Sequence, residues 1–317
     1  MDRAHATRLP VLQPMLASAG RLPARPQEWA FEIKYDGARI LAYLEQGDLH
    51  LWTRSGNEAT DRYPELGELS DLLGDRTVIL DGEVIATDAQ GKPSFNRLQE
   101  RMMLTRPAAV RAAMARTPVT LMIFDILWLD DRSTTKLTYR NRRELLQSLP
   151  LNGTSAIVPP AWPGTAAEEA LTWTRDQGLE GVIAKRLDSI YVPAARSRNW
   201  IKLKHTRTLE VTVCGWVPSG NTLKALLLGV PDGDGLRYVG AVGTGFSDTE
   251  RRSLAARLQL LAEPASPLTS GPAPERGQPV RWVRPAVHGE VEYLEYTKPG
   301  GVLRHPVWKG LRGTPQQ

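Results

Sequence analysis

The chain has 317 residues, which favours about two domains, and its 41% hydrophobic and 24% charged residues are typical of an ordinary soluble globular protein. The net charge of +5 is compatible with an anionic partner but does not identify one. A single cysteine, Cys214, excludes an internal disulfide and a cysteine-rich zinc site, and no stretch reaches the roughly 18 apolar residues of a membrane span. We therefore expect a buried thiol and a cytoplasmic protein without a membrane segment.

Short strands alternate with helices in the first two thirds of the chain. The predicted strands are rich in β-branched and aromatic residues, and they cover residues 29–36, 39–46, 49–55, 77–88, 119–130, 180–186 and 199–204. The predicted helices cover residues 64–74, 95–103, 106–116 and 140–149. Another helix is predicted to begin at Thr165, with Glu168 completing a capping box, and to stop at Gly178.

The pattern changes after about residue 207. Strands are predicted at residues 210–218, 224–231, 235–243 and 290–297, and a Pro/Ser/Gly-rich loop covers residues 263–279. One helix is predicted from Ser247 to about Ala262, with Ser247 and Glu250 as its capping box. Several short strands with one helix favour a small closed barrel of the oligonucleotide-binding type, although a β-sandwich fits the same pattern.

The familiar nucleotide-binding loops, G-x-x-x-x-G-K-[ST] and G-x-G-x-x-G, do not occur in the sequence. Charged residues instead stand in or beside apolar strands: Lys34 in E-I-K-Y-D-G-A-R, Glu83 in L-D-G-E-V, Glu180 in E-G-V-I-A-K-R, and Lys202 and Lys204 in W-I-K-L-K. A lone K-x-D-G is more often an ordinary turn, and W-I-K-L-K alone fits an amphipathic strand. Buried charges, however, are rare unless they are paired or bound to a metal.

In this order, K-x-D-G-x-R, L-D-G-E-V, F-D-I-L, E-G-V-I-A-K-R and W-I-K-L-K resemble the motifs of the covalent ligase and capping-enzyme superfamily. The resemblance extends over residues 14–312 and is greatest to the ligase module of bacterial non-homologous end-joining ligases, ATP-dependent DNA ligases with similar stretches at residues 242–248 and 303–312. It implies an α+β fold, with a nucleotidyltransferase (adenylation) domain at residues 1–206 and an OB-fold β-barrel domain at residues 207–317.

The resemblance also implies an activity and a set of site residues. Lys34 would be the nucleophile that takes AMP from ATP, and nearby cations and a bound metal would favour its neutral form. The carboxylates Glu83 and Glu180 would hold the ribose or a catalytic Mg²⁺ or Mn²⁺. The nucleotide-binding residues would be Glu32 and Phe124 around adenine, Arg39, Arg54 and Arg196 near the ribose and phosphates, Glu83, and Lys202 and Lys204 at the α-phosphate. Arg304, Lys309 and Arg312 would orient pyrophosphate during adenylation.

The implied substrate is nicked or broken double-stranded DNA, sealed in DNA repair by a monomer associated with the bacterial nucleoid. No N-terminal DNA-encircling domain of the kind found in larger ligases is expected, so DNA affinity is expected to be modest or to depend on a Ku-type end-binding partner. Relatives follow the G-L-R segment with an acidic residue and a lysine, whereas residues 313–317 are G-T-P-Q-Q here, a departure that bears on the efficiency of self-adenylation and not on the later steps. The alternatives are an RNA ligase, a GTP-using capping enzyme and a non-catalytic nucleic-acid-binding relative.

Overall fold

The computed structural model describes residues 9–272, 279–297 and 300–312. The chain divides into two units, Met1–Lys204 and His205–Gln317. The functional division between residues 206 and 207 stays a prediction. None of the helices in the described part of the chain is long and apolar enough to cross a membrane.

The first unit contains two sheets with helices packed against them. Its strands are β1 (Leu16–Ala19), β2 (Trp29–Ile33), β3 (Ala38–Glu45), β4 (Asp48–Thr53), β5 (Val78–Ala86), β6 (Val119–Leu129), β7 (Arg132–Ser133), β8 (Ala156–Ile157), β9 (Ala161–Pro163), β10 (Gly181–Arg186) and β11 (Arg196–Lys204). Its helices are α1 (Glu68–Leu73), α2 (Phe95–Met102), α3 (Pro107–Arg116), α4 (Tyr139–Ser148) and α5 (Ala167–Asp176).

Each sheet carries part of the candidate site. One has the order β1-β11-β10-β2-β9, and the other has the order β4-β3-β5-β6-β7 with β8 added beside β6. The predicted strands of this unit are present, with shifted ends. Strand β11 begins at Arg196, three residues before its predicted start, because it pairs with β1, a parallel strand that the sequence pattern did not reveal.

The predicted capping box at Thr165 and Glu168 is wrong. A 3-10 turn occupies Gly164–Ala166, so that α5 begins at Ala167 and its N-cap residue is Ala166, which makes no side-chain capping bond. Thr165 therefore lies inside the turn, one residue too early to cap the helix. The apolar pattern located the helix correctly, but it could not place the first helical residue.

In its described residues, the second unit is built on one continuous sheet and one helix. Its elements are β12 (Arg207–Ser219), β13 (Thr222–Asp232), β14 (Gly235–Val242), α6 (Asp248–Gln259), β15 (Ala262–Glu263), β16 (Leu268–Ser270), β17 (Arg281–Val283), β18 (His288–Tyr293) and β19 (Val307–Arg312). The sheet order is β15-β17-β12-β13-β14-β16, and β18 joins β12 to β19. A single sheet around a core that includes Trp216, Leu258 and Trp308 supports the barrel over the sandwich.

Two predictions for individual residues of the second unit can be compared with the structure. Cys214 is fully buried as expected, and burial raises the pKa of its thiol to about 12. Ser247 caps α6 by accepting a hydrogen bond from the Glu250 amide at 3.2 Å. The reciprocal half of the predicted capping box is not used, because the Glu250 carboxylate accepts a hydrogen bond from the Trp308 indole at 2.9 Å.

Candidate active site

A pocket in the first unit collects most of the predicted site residues. It is lined by residues of β1, β2, β3, β5, β6, β10 and β11, and of the loops that follow β2 and β4. The predicted site residues that line it are Glu32, Lys34, Arg39, Arg54, Glu83, Phe124, Arg196 and Lys202. Residues separated by up to 170 positions in sequence therefore face one cavity.

Lys34 stands at the end of β2, where its ammonium contacts the Glu180 carboxylate. Its backbone amide donates to the Gly181 carbonyl at 2.9 Å, which fixes the residue after the strand has ended. Glu180 also binds the ammonium of Lys204 at 2.8 Å, so one carboxylate bridges two predicted site lysines. Burial opposes ionisation of Glu180, but the charges of Lys34 and Lys204 nevertheless lower its pKa.

Two glycines allow the approach of these elements. Gly181, with φ of +147°, lies where an added Cβ would come within 2.0 Å of the Leu203 carbonyl, so only glycine lets the Glu180 segment reach β11. A Cβ on Gly37 would lie 2.3 Å from the Val84 carbonyl and 2.8 Å from Cγ of Glu83. The glycine of K-x-D-G therefore brings the Lys34 loop against the strand that carries Glu83.

Arg39 is held by a buried aspartate that the sequence did not single out as a site residue. Its guanidinium donates to both carboxylate oxygens of Asp81, at 2.5 and 2.7 Å, and lies 4.4 Å from the centre of the Phe124 ring. The Tyr191 hydroxyl donates to the same carboxylate at 2.7 Å. A bidentate pair of this kind fixes both position and orientation. Asp81 could have been suspected because it is a charge within the apolar strand V-I-L-D-G-E-V.

Glu83 lies in the pocket with its charge only partly compensated. Burial raises the pKa of its carboxyl to about 7, and the negative charges of Asp81 and Glu180 add to that rise, whereas Arg39 and Lys34 oppose it. Ionisation of Glu83 at neutral pH therefore lowers the stability of the folded protein when no ligand is bound. A bound cation or a donor from a ligand would remove that cost.

Glu83→Gln is expected to stabilise the ligand-free protein at pH 8. A carboxyl whose pKa rises on folding disfavours the folded state as pH rises from 4.5 towards 7 and beyond, and is neutral below 4.5. The glutamine removes this cost of at most about 3 kcal/mol, so that the melting temperature rises by several degrees at pH 8 and hardly changes at pH 4.5. Thermal unfolding at both pH values measures this, with the exposed Glu144→Gln as control. An equal shift at both pH values would contradict the assignment.

A cluster of cationic side chains lies near Lys34. Burial lowers the pKa of Lys202, and the neighbouring charges of Lys204, Arg196 and Lys34 lower it further. Arg54 lines the same pocket, and among the described residues neither Arg54 nor Lys202 has a recorded ion pair with a carboxylate. Such a cluster is suited to an oligoanionic ligand, because bound phosphates would relieve the repulsion.

Another side of the pocket is aromatic and contains a buried ion pair. Glu32 accepts hydrogen bonds from the Tyr139 hydroxyl and from the Lys185 ammonium, the latter at 2.8 Å. Phe124 and Trp200 pack edge to face with ring centres 6.3 Å apart. Sequence reasoning did not assign Lys185, Tyr139 or Trp200 to the site. Lys185 carried a usable signal, because it is a charge in the apolar strand G-V-I-A-K.

The predicted pyrophosphate residues lie in the second unit and are not among the pocket residues. Each is paired with a carboxylate of that unit: Arg304 with Glu295 at 2.9 Å, Lys309 with Glu292 at 3.3 Å, and Arg312 with Glu290. Their role in adenylation stays a prediction. The atypical residues 313–317 lie outside the described residues.

The carboxylates near the pocket can be tested as ligands for a divalent cation. Among the residues that the structure describes, no three His, Cys, Asp or Glu side chains come together as a cation site. Glu83 and Glu180 are close enough for the charge of Glu180 to raise the pKa of Glu83. One or two carboxylates, completed by phosphate oxygens and water, are the usual protein ligands of Mg²⁺. The pair therefore fits a cation that binds together with a nucleotide.

Two protein-family models match the chain. Residues 14–204 match the ATP dependent DNA ligase domain, and residues 219–314 match the ATP dependent DNA ligase C terminal region. The first match alone covers more than half of the chain and includes every pocket residue named above.

Individual relatives agree with these models. The chain is 40% identical over 304 residues to the multifunctional non-homologous end joining protein LigD of Mycolicibacterium smegmatis, a match that covers 94% of this chain and 38% of that protein. It is 35% identical over 286 residues to DNA ligase C1 of the same organism, covering 86% and 78% of the two chains. A solved structure of mycobacterial DNA ligase D complexed with ATP and MES is 39% identical, with 95% of each chain covered and a TM-score of 0.56.

Proposed function

The chain belongs to the ATP-dependent DNA ligase family, and on that basis we propose that it seals breaks between a 5′-phosphate and a 3′-hydroxyl in double-stranded DNA through AMP carried on Lys34. The observation that carries the proposal is the convergence on one pocket of Lys34, Glu83 and a cluster of cations, with Glu180 in contact with Lys34 beside it. The chain spans only 38% of the length of LigD, so the activities and partners of that longer protein are not transferred with the family.

The proposed reaction has three phosphoryl transfers. The neutral amine of Lys34 attacks the α-phosphorus of ATP, so that a P–N bond forms, the bond to the oxygen that bridges to the β-phosphorus breaks, and pyrophosphate and a proton leave. An oxygen of the DNA 5′-phosphate then attacks the AMP phosphorus and breaks the P–N bond, and the Lys34 nitrogen takes up a proton and leaves as the free amine. Finally, the 3′-hydroxyl attacks the 5′-phosphorus, loses its proton and expels AMP, which closes the strand.

The residues in and beside the pocket are proposed to have different roles. Lys202 and Lys204, with Arg54 and Arg196, are proposed to neutralise charge on the phosphates of ATP and of the break. The acceptor Glu32 and the Phe124 ring are proposed to bind adenine, and Arg39 to lie near the ribose and the DNA phosphate. Because Asp81 holds the Arg39 guanidinium in two hydrogen bonds, this arginine is already oriented before ligand binds.

A divalent cation is proposed to bind at Glu83 and Glu180. When bound, Mg²⁺ or Mn²⁺ would stabilise negative charge on the phosphoryl oxygens. Glu83 would gain a partner for a carboxylate that is otherwise costly to ionise. Glu180 would exchange part of its contact with Lys34 and Lys204 for the metal, which leaves the Lys34 amine available for attack.

The second unit is proposed to assist both the adenylation of Lys34 and the later steps on DNA. With a functional boundary between residues 206 and 207, the barrel would cover ATP during adenylation and bind DNA afterwards. Arg304, Lys309 and Arg312 would orient pyrophosphate, and to do so they would have to exchange their carboxylate partners for phosphate. A chain truncated after residue 206 is expected to lose nick sealing.

The cellular setting is also a proposal. The printed name of LigD, a non-homologous end joining protein, supports a role in DNA repair with a Ku-type end-binding partner. We propose a monomer that acts on nucleoid DNA, without a membrane partner. Size-exclusion chromatography of the chain with and without a Ku protein and blunt-ended DNA tests the partner, and co-elution only in the presence of both is the expected result.

A sealing assay tests the proposed activity. The protein, ATP and Mg²⁺ are incubated with a nicked DNA duplex and, separately, with the same nick in RNA and with GTP in place of ATP. We expect sealing of the DNA nick with ATP only. Preference for the RNA nick would indicate an RNA ligase. Covalent labelling of the protein by GTP in place of ATP would indicate a capping-type enzyme. Binding of DNA without covalent labelling of the protein by either nucleotide would indicate a non-catalytic relative.

A further inference from the structure

Lys185 is a buried cation that the proposed reaction does not use. Its side chain is 2% exposed, on strand β10. The ammonium lies 2.8 Å from Oε2 of Glu32 and donates to the Phe124 carbonyl at 3.0 Å. A buried lysine is costly unless it is paired, and here the partners are two residues proposed to bind adenine.

The register between strands β2 and β10 brings Glu32 and Lys185 together. Strands β2 and β10 are antiparallel neighbours, in which Glu32 pairs with Ile183 and Lys185 pairs with Ala30. Glu32 and Lys185 are therefore diagonal neighbours on one face of the sheet, within reach of each other's long side chains. The contact is thus a consequence of the sheet register, and each residue limits the rotamers of the other.

Aromatic rings close the remaining sides of the ammonium. It lies 4.2 Å from the ring centre of Trp200, 4.5 Å from that of Phe124 and 5.3 Å from that of Tyr139. These distances are in the range of cation–π attraction. The rings shield the ammonium from water and leave it with two acceptors, the Glu32 carboxylate and the Phe124 carbonyl, of which only Glu32 is charged.

The environment of Glu32 shows what this cation controls. Its carboxylate is 3% exposed, and one oxygen accepts from the Tyr139 hydroxyl while the other accepts from Lys185. The Arg143 guanidinium lies 3.7 Å from the first of these oxygens, so the carboxylate faces two cations, of which Lys185 is the nearer. A carboxylate held in this way presents hydrogen-bond acceptors only, whereas a protonated carboxyl is also a donor.

We propose that Lys185 is a positioning residue that holds the Glu32 carboxylate in place as an acceptor for the 6-amino group of adenine. It thereby sets the preference for ATP over nucleotides that lack this donor. Guanine presents a carbonyl oxygen at the same ring position, which an ionised carboxylate repels. The inference rests on the proposed function, because it assumes that ATP binds with adenine beside Glu32.

The test compares ATP with purine riboside triphosphate, which differs only by loss of the 6-amino group. The kcat and KM for covalent labelling are measured for wild type, Lys185→Met and the exposed control Lys136→Met. Wild type and control are expected to prefer ATP by at least about tenfold in kcat/KM, consistent with the loss of a hydrogen bond to a charged group. In Lys185→Met the preference should fall to within about threefold, mainly through a higher KM for ATP.

A second variant keeps the test decisive where Lys185→Met does not fold. Lys185→Met combined with Glu32→Gln removes both charges of the pair, so that neither is left buried without the other, and the ATP preference should again be within about threefold. An unchanged preference, with kcat lowered equally for both nucleotides, would show a merely structural lysine and overturn the inference. Wild type that labels with both nucleotides equally would also overturn it. Wild type that takes no label from either nucleotide would defeat the proposed function itself.

Discussion

Lys34→Ala is expected to abolish covalent labelling by α-labelled ATP, a loss of at least about 1,000-fold relative to wild type. Alanine has no amine to form the P–N bond, and Lys202 and Lys204 are not expected to replace it because they lie on β11, where the ammonium of Lys204 is paired with Glu180. The measurement is the label that remains on the protein in a denaturing gel. The exposed lysine variant Lys92→Ala is the matched control and should label as wild type does.

The same variant separates the first chemical step from the last. Sealing of a nick that already carries 5′-linked AMP requires no lysine nucleophile, so Lys34→Ala should retain this step within about tenfold of wild type, whereas sealing with ATP is lost. Equal labelling of Lys34→Ala and wild type would contradict the assignment of the nucleophile. Loss of the last step as well would indicate that the substitution disturbs the Glu180 and Lys204 contacts as well as the chemistry.

The candidate site could be predicted to the extent that charges interrupt apolar strands. Glu83 and Lys34 were noticed for that reason, and the structure places both in the pocket. The same physical signal was present at Asp81 and Lys185, but their partners are Arg39 on β3 and Glu32 on β2. Because those pairings depend on strand register, which the sequence pattern does not fix, the roles of these two residues became visible only in the structure.

Prediction of the fold from the sequence has a similar limit. The α+β class followed from the family resemblance, whereas the strand and helix patterns located most elements and the change near residue 207, because burial of one face leaves a periodic trace. Strand β1 was missed because L-A-S-A carries no such trace and is held by pairing with β11. Phe124 is a further case, since its ring faces both the core and the pocket, and only the structure shows Arg39 and Lys185 against it.

Glu180→Gln is expected to lower the rate of Lys34 adenylation by at least about 100-fold, as removal of one electrostatic group in an active site commonly does. The amide keeps the shape of the side chain, but it loses the charge that binds a divalent cation and that holds Lys34 and Lys204 together. Single-turnover labelling at saturating ATP measures the effect, and Glu169→Gln, on the exposed face of α5, is the matched control. A Glu180→Gln rate within tenfold of wild type would contradict this role.

The stability of Glu180→Gln provides an independent measure of the same contact. The lysine charges lower the pKa of Glu180 below its usual 4.5, so the carboxylate stabilises the folded protein above that pH and stops doing so as pH falls through its folded pKa. The melting temperature of wild type should therefore exceed that of Glu180→Gln at pH 7, and the difference should shrink below pH 4.5. A difference that is the same at both pH values would mean that Glu180 acts by shape. In that case the slow adenylation of the variant could not be assigned to the lost charge between Lys34 and Lys204.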